Sequence, residues 1–272
     1  MTLCDQAETQ STPQGGGFVL TLKLPETKRD EDLPLISVIT PTANRKILFP
    51  LAIRNWNRFD YPLEKREWVI VDDGEEKLDD LLKDVKNVRY IPIDRKLILG
   101  EKRNFCAVLA KHEIIVHMDD DDYYPPESLL ARVKTLIHYE KSCVGCSTVR
   151  CYDMLANETF NAFDADADGK PMSISESTFC YTKDFWKAGK FIKTDTKMEG
   201  LGFINGRWDV VLDIPSVFVI TQLTHTSNTV TRKCRNTQRT KQFLDTVDYN
   251  THMFLENIRA QLLRVLPENE KA

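Results

Sequence analysis

Short apolar segments alternate with helix-like segments over residues 34–118, and this alternation limits the fold more than any other feature of the chain. The strand-like segments are LISVIT, EWVIVDDG, VRYIPI and EIIVHM, and helices are expected between them over about 46–58, 76–85 and 100–111. This order predicts an α/β fold in which a mostly parallel central sheet is flanked by helices. Ligands bind such sheets at the carboxyl ends of the strands.

Polar motifs follow directly after three of the predicted strands. They are PTANR (41–45), DDG (72–74) and DDDD (119–122). Because the carboxyl ends of parallel strands lie at one edge of a sheet, we expect the three motifs to converge on a single crevice.

The run of four aspartates, 119–122, places like charges side by side. An acidic loop that caps the following helix, at PPESLL, is one explanation, since Pro and Asp both suit a helix start. Capping does not need four aspartates, however. Mg²⁺ or Mn²⁺ is usually held by one or two carboxylates together with substrate phosphates, and such an ion also stabilises a departing diphosphate.

The motifs SVITPTANR, IVDDG, GEKRN and HMDDDDYYPPESL, in this order and spacing, resemble those of family 2 glycosyltransferases of the GT-A fold. The resemblance covers residues 34–135. It implies a metal-dependent enzyme that moves a hexosyl or pentosyl group from a nucleotide-diphosphate-sugar to an acceptor hydroxyl, with inversion.

The resemblance assigns the nucleoside end of the donor to four residues. Pro41, Thr42 and Ala43 would line the nucleobase and ribose pocket, although many family members have an aromatic residue where Ala43 stands. Asp73 would accept a hydrogen bond from the base, which favours a UDP-sugar and leaves a GDP-sugar open.

The diphosphate and the metal ion are assigned in the same way. Cations would neutralise the diphosphate through charge-assisted hydrogen bonds, and the candidates are Arg45, Lys96, Lys102 and Arg103. Asp119 and Asp121 fill the ends of the DXD pattern as ligands of Mn²⁺ or Mg²⁺, and His225 of LTHTSNT resembles a downstream metal or diphosphate ligand. Asp120 would reach the ribose or the metal, and Asp122 would cap the next helix.

A general base must take the proton of the attacking hydroxyl. The segment MEGLGFINGRWD, 198–209, resembles the part of the family that supplies this acid, which makes Glu199 the favoured base. Asp209 and Asp213 stay open as alternatives. The acceptor is expected to be a glycan, a protein or a lipid-linked glycan.

The chain divides unevenly around this pattern. After Pro126 we expect a helix to about Tyr139, then CVGCSTVRCY as one strand, then a mixed α/β region. We expect a mobile tail over residues 1–32 and a C-terminal helix over 236–272. Between them lies a single catalytic domain, with a nucleotide-sugar half over 33–140 and an acceptor half over 141–235.

Composition narrows the partners and the compartment. The net charge is −4 with dispersed cations, so nucleic acid is not an expected partner. No apolar run has the length of a membrane span, and no signal core is evident, so seven cysteines indicate thiols in a reducing, cytoplasmic compartment. We interpret Cys143, Cys146 and Cys151 as small buried side chains rather than zinc ligands.

The compact size and the acidic motif also resemble enzymes encoded by large DNA viruses, and a homodimer is compatible with the sequence.

Other readings fit less well. A nucleotidyltransferase would carry a glycine-rich loop after the first strand, and a haloacid-dehalogenase-like phosphatase would carry Thr or Val where Tyr123 stands. FDADADGK begins like a calcium loop but has Ser175 at the twelfth position instead of Glu. A glycan-binding or scaffold protein that kept the fold without turnover is the alternative from outside the enzymes.

Overall fold

A computed structural model of the chain describes residues 9–11, 18–20, 30–163, 173–192, 199–225, 228 and 242–265. The strands in these residues are β1 Thr9–Ser11, β2 Phe18–Leu20, β3 Ile36–Thr42, β4 Arg66–Asp72, β5 Val88–Pro92, β6 Ile114–His117, β7 Cys143–Gly145, β8 Thr148–Asp153, β9 Glu158–Phe163, β10 Cys180–Thr182, β11 Val211–Asp213 and β12 Gln222–Thr224. The α-helices are α1 Phe49–Arg58, α2 Asp79–Leu82, α3 Leu99–Leu109, α4 Ser128–His138, α5 Lys183–Ala188, α6 Glu199–Ile204 and α7 Tyr249–Val265.

The central sheet has the strand order β11-β7-β10-β6-β3-β4-β5. Its neighbouring strands pair in parallel, except that β10 runs antiparallel to β6 and β7. Every residue of β3 and β4 is buried, because helices cover both faces of the sheet. The predicted α/β fold with a mostly parallel sheet is therefore confirmed.

Helices α1 and α4 pack on one face of the sheet. α1 begins with a proline in its first turn, where a missing N–H costs no hydrogen bond. The Trp68 ring of β4 stacks on Phe49 and Trp56 of α1, at centroid distances of 5.8 and 5.3 Å. These contacts fix α1 against β4, next to β3 in the sheet.

Helices α3 and α5 pack on the opposite face. A Cβ atom at Gly100, in the first turn of α3, would lie 2.2 Å from the backbone oxygen of Ile192. Only glycine therefore lets the segment around Ile192 approach α3 this closely. The close approach places the GEKRN side chains of α3 beneath the crevice.

A second sheet, β12-β8-β9, packs against α7 and the start of α1. The predicted C-terminal helix begins only at Tyr249, after a 3-10 turn at Phe243–Thr246. Asp248 accepts a hydrogen bond from the Thr251 amide at 3.0 Å and so caps the helix start.

Two further predictions of secondary structure need correction. The helix expected over 76–85 is only Asp79–Leu82, because the preceding amides bind side chains instead; the Leu78 amide, for example, donates to the Tyr90 hydroxyl at 2.9 Å. CVGCSTVRCY forms β7 and β8 rather than one strand. The break lies at Cys146 and Ser147, whose amides donate to Thr178 Oγ1 at 2.8 Å and Asp213 Oδ1 at 2.9 Å.

Several expectations fall on residues that the structure does not describe. These include most of the predicted mobile tail and the calcium-like loop beyond Phe163. Among the described helices, none combines the length and apolar character that a bilayer crossing requires.

Candidate active site

The three polar motifs meet at the carboxyl ends of β3, β4 and β6, as predicted. The Thr42 hydroxyl at the end of β3 donates to the Asp120 carboxylate in the acidic run. The ammonium group of Lys102, from α3, donates to the Thr42 backbone oxygen at 2.9 Å. One crevice edge therefore joins PTANR, DDDD and GEKRN.

The loops PTANR and DDG are locked together by their backbones. A Cβ atom at Gly74 would lie 2.4 Å from the Asn44 amide nitrogen, so glycine is required at this contact. Asn44 adopts a positive φ of 53°, and its side-chain oxygen accepts from the Glu75 amide at 2.7 Å. Asp72 accepts from the Gly74 amide and from the Tyr90 hydroxyl, at 2.8 and 2.7 Å. Asp72 therefore fixes the shape of the turn that follows β4.

Asp73 is buried and pairs with Lys102. Its second carboxylate oxygen accepts from the Leu97 amide at 2.8 Å. Lys102, which was predicted to neutralise the diphosphate, is thus buried against Asp73 and not on an open surface. A buried carboxylate needs such a partner because leaving it unpaired would be costly.

Arg103 also points inward. Its two terminal nitrogens hold Asp119 in a bidentate pair at 2.9 and 3.0 Å, and the Asp119 amide donates to the Tyr124 hydroxyl at 2.8 Å. Arg103 is only 2% exposed, so this pair orients the first aspartate of the run. Sequence reasoning did not identify His117, whose Nδ1 lies 3.2 Å from Arg103. Burial and, second, the charge of Arg103 lower the pKa of His117 well below its usual value.

Asp120 and Asp121 are adjacent carboxyl groups in the crevice. Burial and, second, the Asp121 carboxylate raise the pKa of Asp120 to about 8. Arg45 offsets this charge in part, with nitrogens 4.0 Å from Asp120 and 3.6 Å from Asp121. Two adjacent carboxylates that resist joint ionisation are an environment that a divalent cation would stabilise.

His225 lies beside Asp121, and that the two residues share a metal ion stays a prediction. Its Nε2 atom is 3.3 Å from Asp121 Oδ2. Asn228 places its side-chain nitrogen 3.3 Å from the same oxygen and 3.2 Å from His225 Nε2. Sequence reasoning missed Asn228, although it stands in the same LTHTSNT segment as His225.

Asp122 does not cap the next helix, which corrects the prediction. The N-cap of α4 is Glu127, without a side-chain hydrogen bond. Asp122 is fully buried and instead accepts from the Leu223 amide at 2.9 Å, while its backbone oxygen accepts from Asn55 at 2.8 Å. It therefore joins the acidic loop to β12 and α1, and through β12 to the segment that carries His225.

The remaining donor candidates differ in exposure. Pro41 is buried, Ala43 is half-buried and Lys96 is exposed. All three belong to segments that border the crevice, since Pro41 and Ala43 flank Thr42 and Lys96 precedes the Leu97 amide that binds Asp73.

The candidates for the base lie in different places. Glu199 is the first residue of α6, and its side chain lies outside the described part of the chain. Asp209 precedes β11 at the amino end of the strand, which is the edge opposite the crevice. Asp213 is at the correct edge, but both of its oxygens bind Ser147. Asp209 and Asp213 therefore fit the role of the base less well, and Glu199 stays a prediction.

The described side chains contain no group of three or more His, Cys, Asp or Glu residues that would hold a metal ion by themselves. The donor set at Asp121 and His225, with the charge on Asp120, still suits Mn²⁺ or Mg²⁺ if substrate oxygens and water complete the shell. Asp119, in contrast, is turned toward Arg103.

Residues 37–196 match the sequence model of glycosyl transferase family 2. The match covers more than half of the chain, which therefore belongs to this family, and the resemblance read from the four motifs is confirmed.

Known proteins show the same relationship. The putative colanic acid biosynthesis glycosyl transferase WcaA of Escherichia coli K12 is 36% identical over 101 residues, which are 35% of this chain and 36% of that protein. The fold is similar to that of the mannosyltransferase PcManGT from Pyrobaculum calidifontis in complex with GDP-Man and Mn²⁺, with a TM-score of 0.57, 16% identity and coverage of 73% of this chain and 59% of that one. It is also similar to that of S. aureus TarS 1-349 in complex with UDP-GlcNAc, with a TM-score of 0.54, 14% identity and coverage of 87% and 69%.

Proposed function

We propose that the protein is a metal-dependent, inverting glycosyltransferase that uses a nucleotide-diphosphate-sugar donor. The observation that carries the proposal is the pair Asp120 and Asp121, set side by side at the carboxyl ends of the central strands with Arg45 and His225 against them. A nucleotidyltransferase would need a glycine-rich loop after β3, which PTANR does not provide.

The nucleoside would bind where Asp73 meets the end of β3. Pro41, Thr42 and Ala43 form the wall, and the Asp73 carboxylate accepts hydrogen bonds. A UDP-sugar is favoured and a GDP-sugar is the second choice. Lys102 supports this end of the site by fixing Asp73.

The diphosphate would lie toward Arg45 and Lys96. Arg45 is close to the carboxyl groups of Asp120 and Asp121. When the donor binds with its metal ion, Arg45 could bind a phosphate oxygen and the two carboxyl groups could bind the ion. Lys96 is exposed and can extend toward the crevice. Lys102 and Arg103 would not contact the diphosphate directly, because they form ion pairs with Asp73 and Asp119.

Asp121 and His225 would hold Mn²⁺ or Mg²⁺, with Asp120 as a further oxygen donor. The ion supplies positive charge that stabilises the leaving diphosphate. Arg45 stabilises charge at the same end of the donor, while the Arg103–Asp119 pair keeps the neighbouring carboxylate in a fixed place.

Glu199 would act as the general base. Its carboxylate takes the proton of the acceptor hydroxyl while the hydroxyl oxygen forms a bond to the anomeric carbon and the bond from that carbon to the phosphate oxygen breaks. The nucleoside diphosphate leaves with the electron pair, and attack from the opposite side inverts the anomeric configuration. The acceptor would be a glycan, a protein or a lipid-linked glycan.

Calorimetric titration tests the proposal. Nucleoside diphosphates and nucleotide sugars of each base are titrated with and without Mn²⁺ into the wild type, Asp121→Ala and the control Asp84→Ala, which alters an exposed acid outside the crevice. Metal-dependent binding of one nucleotide, lost only in Asp121→Ala, is expected. Binding of no nucleotide would overturn the proposal.

Turnover separates the enzyme from a binding protein of the same fold. The matching sugar donor should be hydrolysed or transferred, and Glu199→Gln should reduce kcat by at least about 100-fold with little change in donor affinity. Donor binding without any turnover would favour the glycan-binding or scaffold alternative.

A further inference from the structure

Arg103 has a second partner behind the one that it presents to the crevice. One of its terminal nitrogens, Nη1, lies 2.9 Å from Asp119 Oδ1 and also 3.2 Å from His117 Nδ1. His117 is the last residue of β6 and is completely buried. The same guanidinium nitrogen therefore contacts both a carboxylate and a buried imidazole.

The chemistry of these groups determines how they connect. Guanidinium nitrogens only donate hydrogen bonds, so a hydrogen bond from Arg103 requires a lone pair on His117 Nδ1. The neutral ring then carries its proton on Nε2. That atom lies 3.0 Å from the hydroxyl of Tyr181 on β10, which can accept it.

Aromatic rings leave the imidazole little freedom. The ring of His117 contacts Phe179 and Tyr181 edge to face at centroid distances of 5.7 and 5.3 Å, and Phe191 lies at 5.5 Å. Tyr181 is also completely buried. A side chain enclosed in this way can transmit its orientation to the group that it binds.

We propose that Tyr181 and His117 are positioning residues that fix Arg103, and that Arg103 in turn holds Asp119 at the place where the donor binds. The kinetic part of this proposal rests on the proposed function. The hydrogen-bond chain itself, Tyr181–His117–Arg103–Asp119, does not depend on it. A displacement of about 1 Å in a site can cost about 100-fold in rate. Loss of His117 or Tyr181 from the hydrogen-bond chain should therefore weaken donor binding and slow turnover.

Two substitutions of His117 separate positioning from packing. Leucine fills most of the space in the aromatic surroundings but accepts no hydrogen bond, whereas asparagine leaves a void but offers an oxygen near the position of Nδ1. We expect His117→Leu to weaken donor binding by about 10- to 100-fold, in the range found for lost supporting partners of binding sites. His117→Asn should restore affinity to within about 5-fold of the wild type.

Packing alone predicts the opposite order, with His117→Asn the poorer variant in both stability and donor binding. Titration calorimetry and thermal unfolding of both variants, with the exposed His138→Leu as control, therefore decide between the two. Donor affinity of His117→Leu equal to or better than that of His117→Asn would overturn the proposal. Tyr181→Phe should weaken donor binding by roughly 3- to 10-fold, because the Tyr181 hydroxyl is lost as a partner of Nε2 while the backbone hydrogen bond between His117 and Glu176 remains.

A measurement without substrate distinguishes failure of this inference from failure of the proposed function. Long-range ¹H–¹⁵N correlation spectra of the labelled wild type, with His117→Asn to identify the signals, should show His117 protonated on Nε2 and not on Nδ1. A proton on Nδ1 would overturn the inference even if the protein binds a nucleotide sugar. The expected tautomer in a protein that binds no nucleotide would support the hydrogen-bond chain and reject only the proposed function.

Discussion

His225 places its Nε2 atom 3.3 Å from Oδ2 of Asp121, although the two residues belong to different parts of the chain. Asp121 follows the central strand β6, whereas His225 follows β12 of the smaller sheet. The acidic loop reaches β12 through the hydrogen bond from the Leu223 amide to Asp122. The nitrogen ligand of a divalent ion would therefore come from outside the nucleotide-binding half.

Loss of His225 should weaken metal binding without abolishing it. We expect His225→Ala to lower the affinity for Mn²⁺, in the presence of the nucleotide, by about 10-fold or more, because one ligand is replaced by water. Electron paramagnetic resonance titration of free Mn²⁺ measures this directly. His138→Ala, which removes an exposed imidazole, serves as control, and equal Mn²⁺ affinity in both variants would contradict the assignment.

Asp120 should make the metal-free protein less stable as the pH rises. Its pKa is raised to about 8 by burial and by Asp121, so the folded state holds a proton that the unfolded state has already released. Stability from this group is complete below the unfolded pKa and is lost as the pH rises through 8. At roughly 1.4 kcal/mol per pH unit, the free energy of unfolding should fall by about 2 kcal/mol between pH 6 and pH 8.

Urea unfolding at a series of pH values measures this effect, with Asp120→Asn as the matched variant. The amide cannot ionise, so the decrease between pH 6 and pH 8 should be absent from Asp120→Asn. Saturating Mn²⁺ should stabilise the wild type more at pH 8 than at pH 6, since the proton no longer competes with the ion. Parallel pH profiles for the two proteins would show that Asp120 is ionised in the native state.

The Lys102–Asp73 pair should show strong coupling in a double-mutant cycle. Both side chains are almost completely enclosed, and removal of one partner leaves the other charge buried, at a cost of about 3–5 kcal/mol. Asp73→Asn and Lys102→Met should each destabilise the protein in this range, and the double variant should lose much less than the sum. Additive losses in urea unfolding would mean that the two charges do not depend on each other.

The sequence predicted the features that depend on periodicity and strand ends. Alternating strands and helices gave the parallel sheet, and the position of DDDD directly after EIIVHM gave its place at the crevice. Thr42, Asp73, Asp120 and Asp121 meet there because a parallel sheet brings the carboxyl ends of its strands to one edge.

The sequence did not predict which ion-pair partner each charged side chain has. Lys102 and Arg103 were expected at the diphosphate, but the turn of α3 directs them to Asp73 and Asp119. Motif spacing gives the order of residues along the chain, but it does not show which face of a helix packs against a neighbouring loop. The break between β7 and β8 was not predicted for a similar reason, because it depends on a hydrogen bond from the Cys146 amide to Oγ1 of the distant Thr178.

The cysteines that the structure describes should be unreactive in the native protein. They are Cys106, Cys143, Cys146, Cys151 and Cys180, and all five are buried. Burial raises the pKa of Cys106 and of Cys180 to about 12, so little of the nucleophilic thiolate is present at neutral pH. The prediction that Cys143, Cys146 and Cys151 are small packed side chains is confirmed by their complete burial.

Alkylation with iodoacetamide at pH 7.5, followed by peptide mass mapping, tests this directly. The five thiols should carry no label in the native protein and full label in 6 M guanidinium chloride, because access requires unfolding. Zinc should neither bind at Cys143 and Cys146 nor protect them further, since both thiols are completely buried and a structural zinc site needs four converging ligands. Native labelling of Cys146, or its protection by zinc, would instead indicate that the turn between β7 and β8 opens in solution.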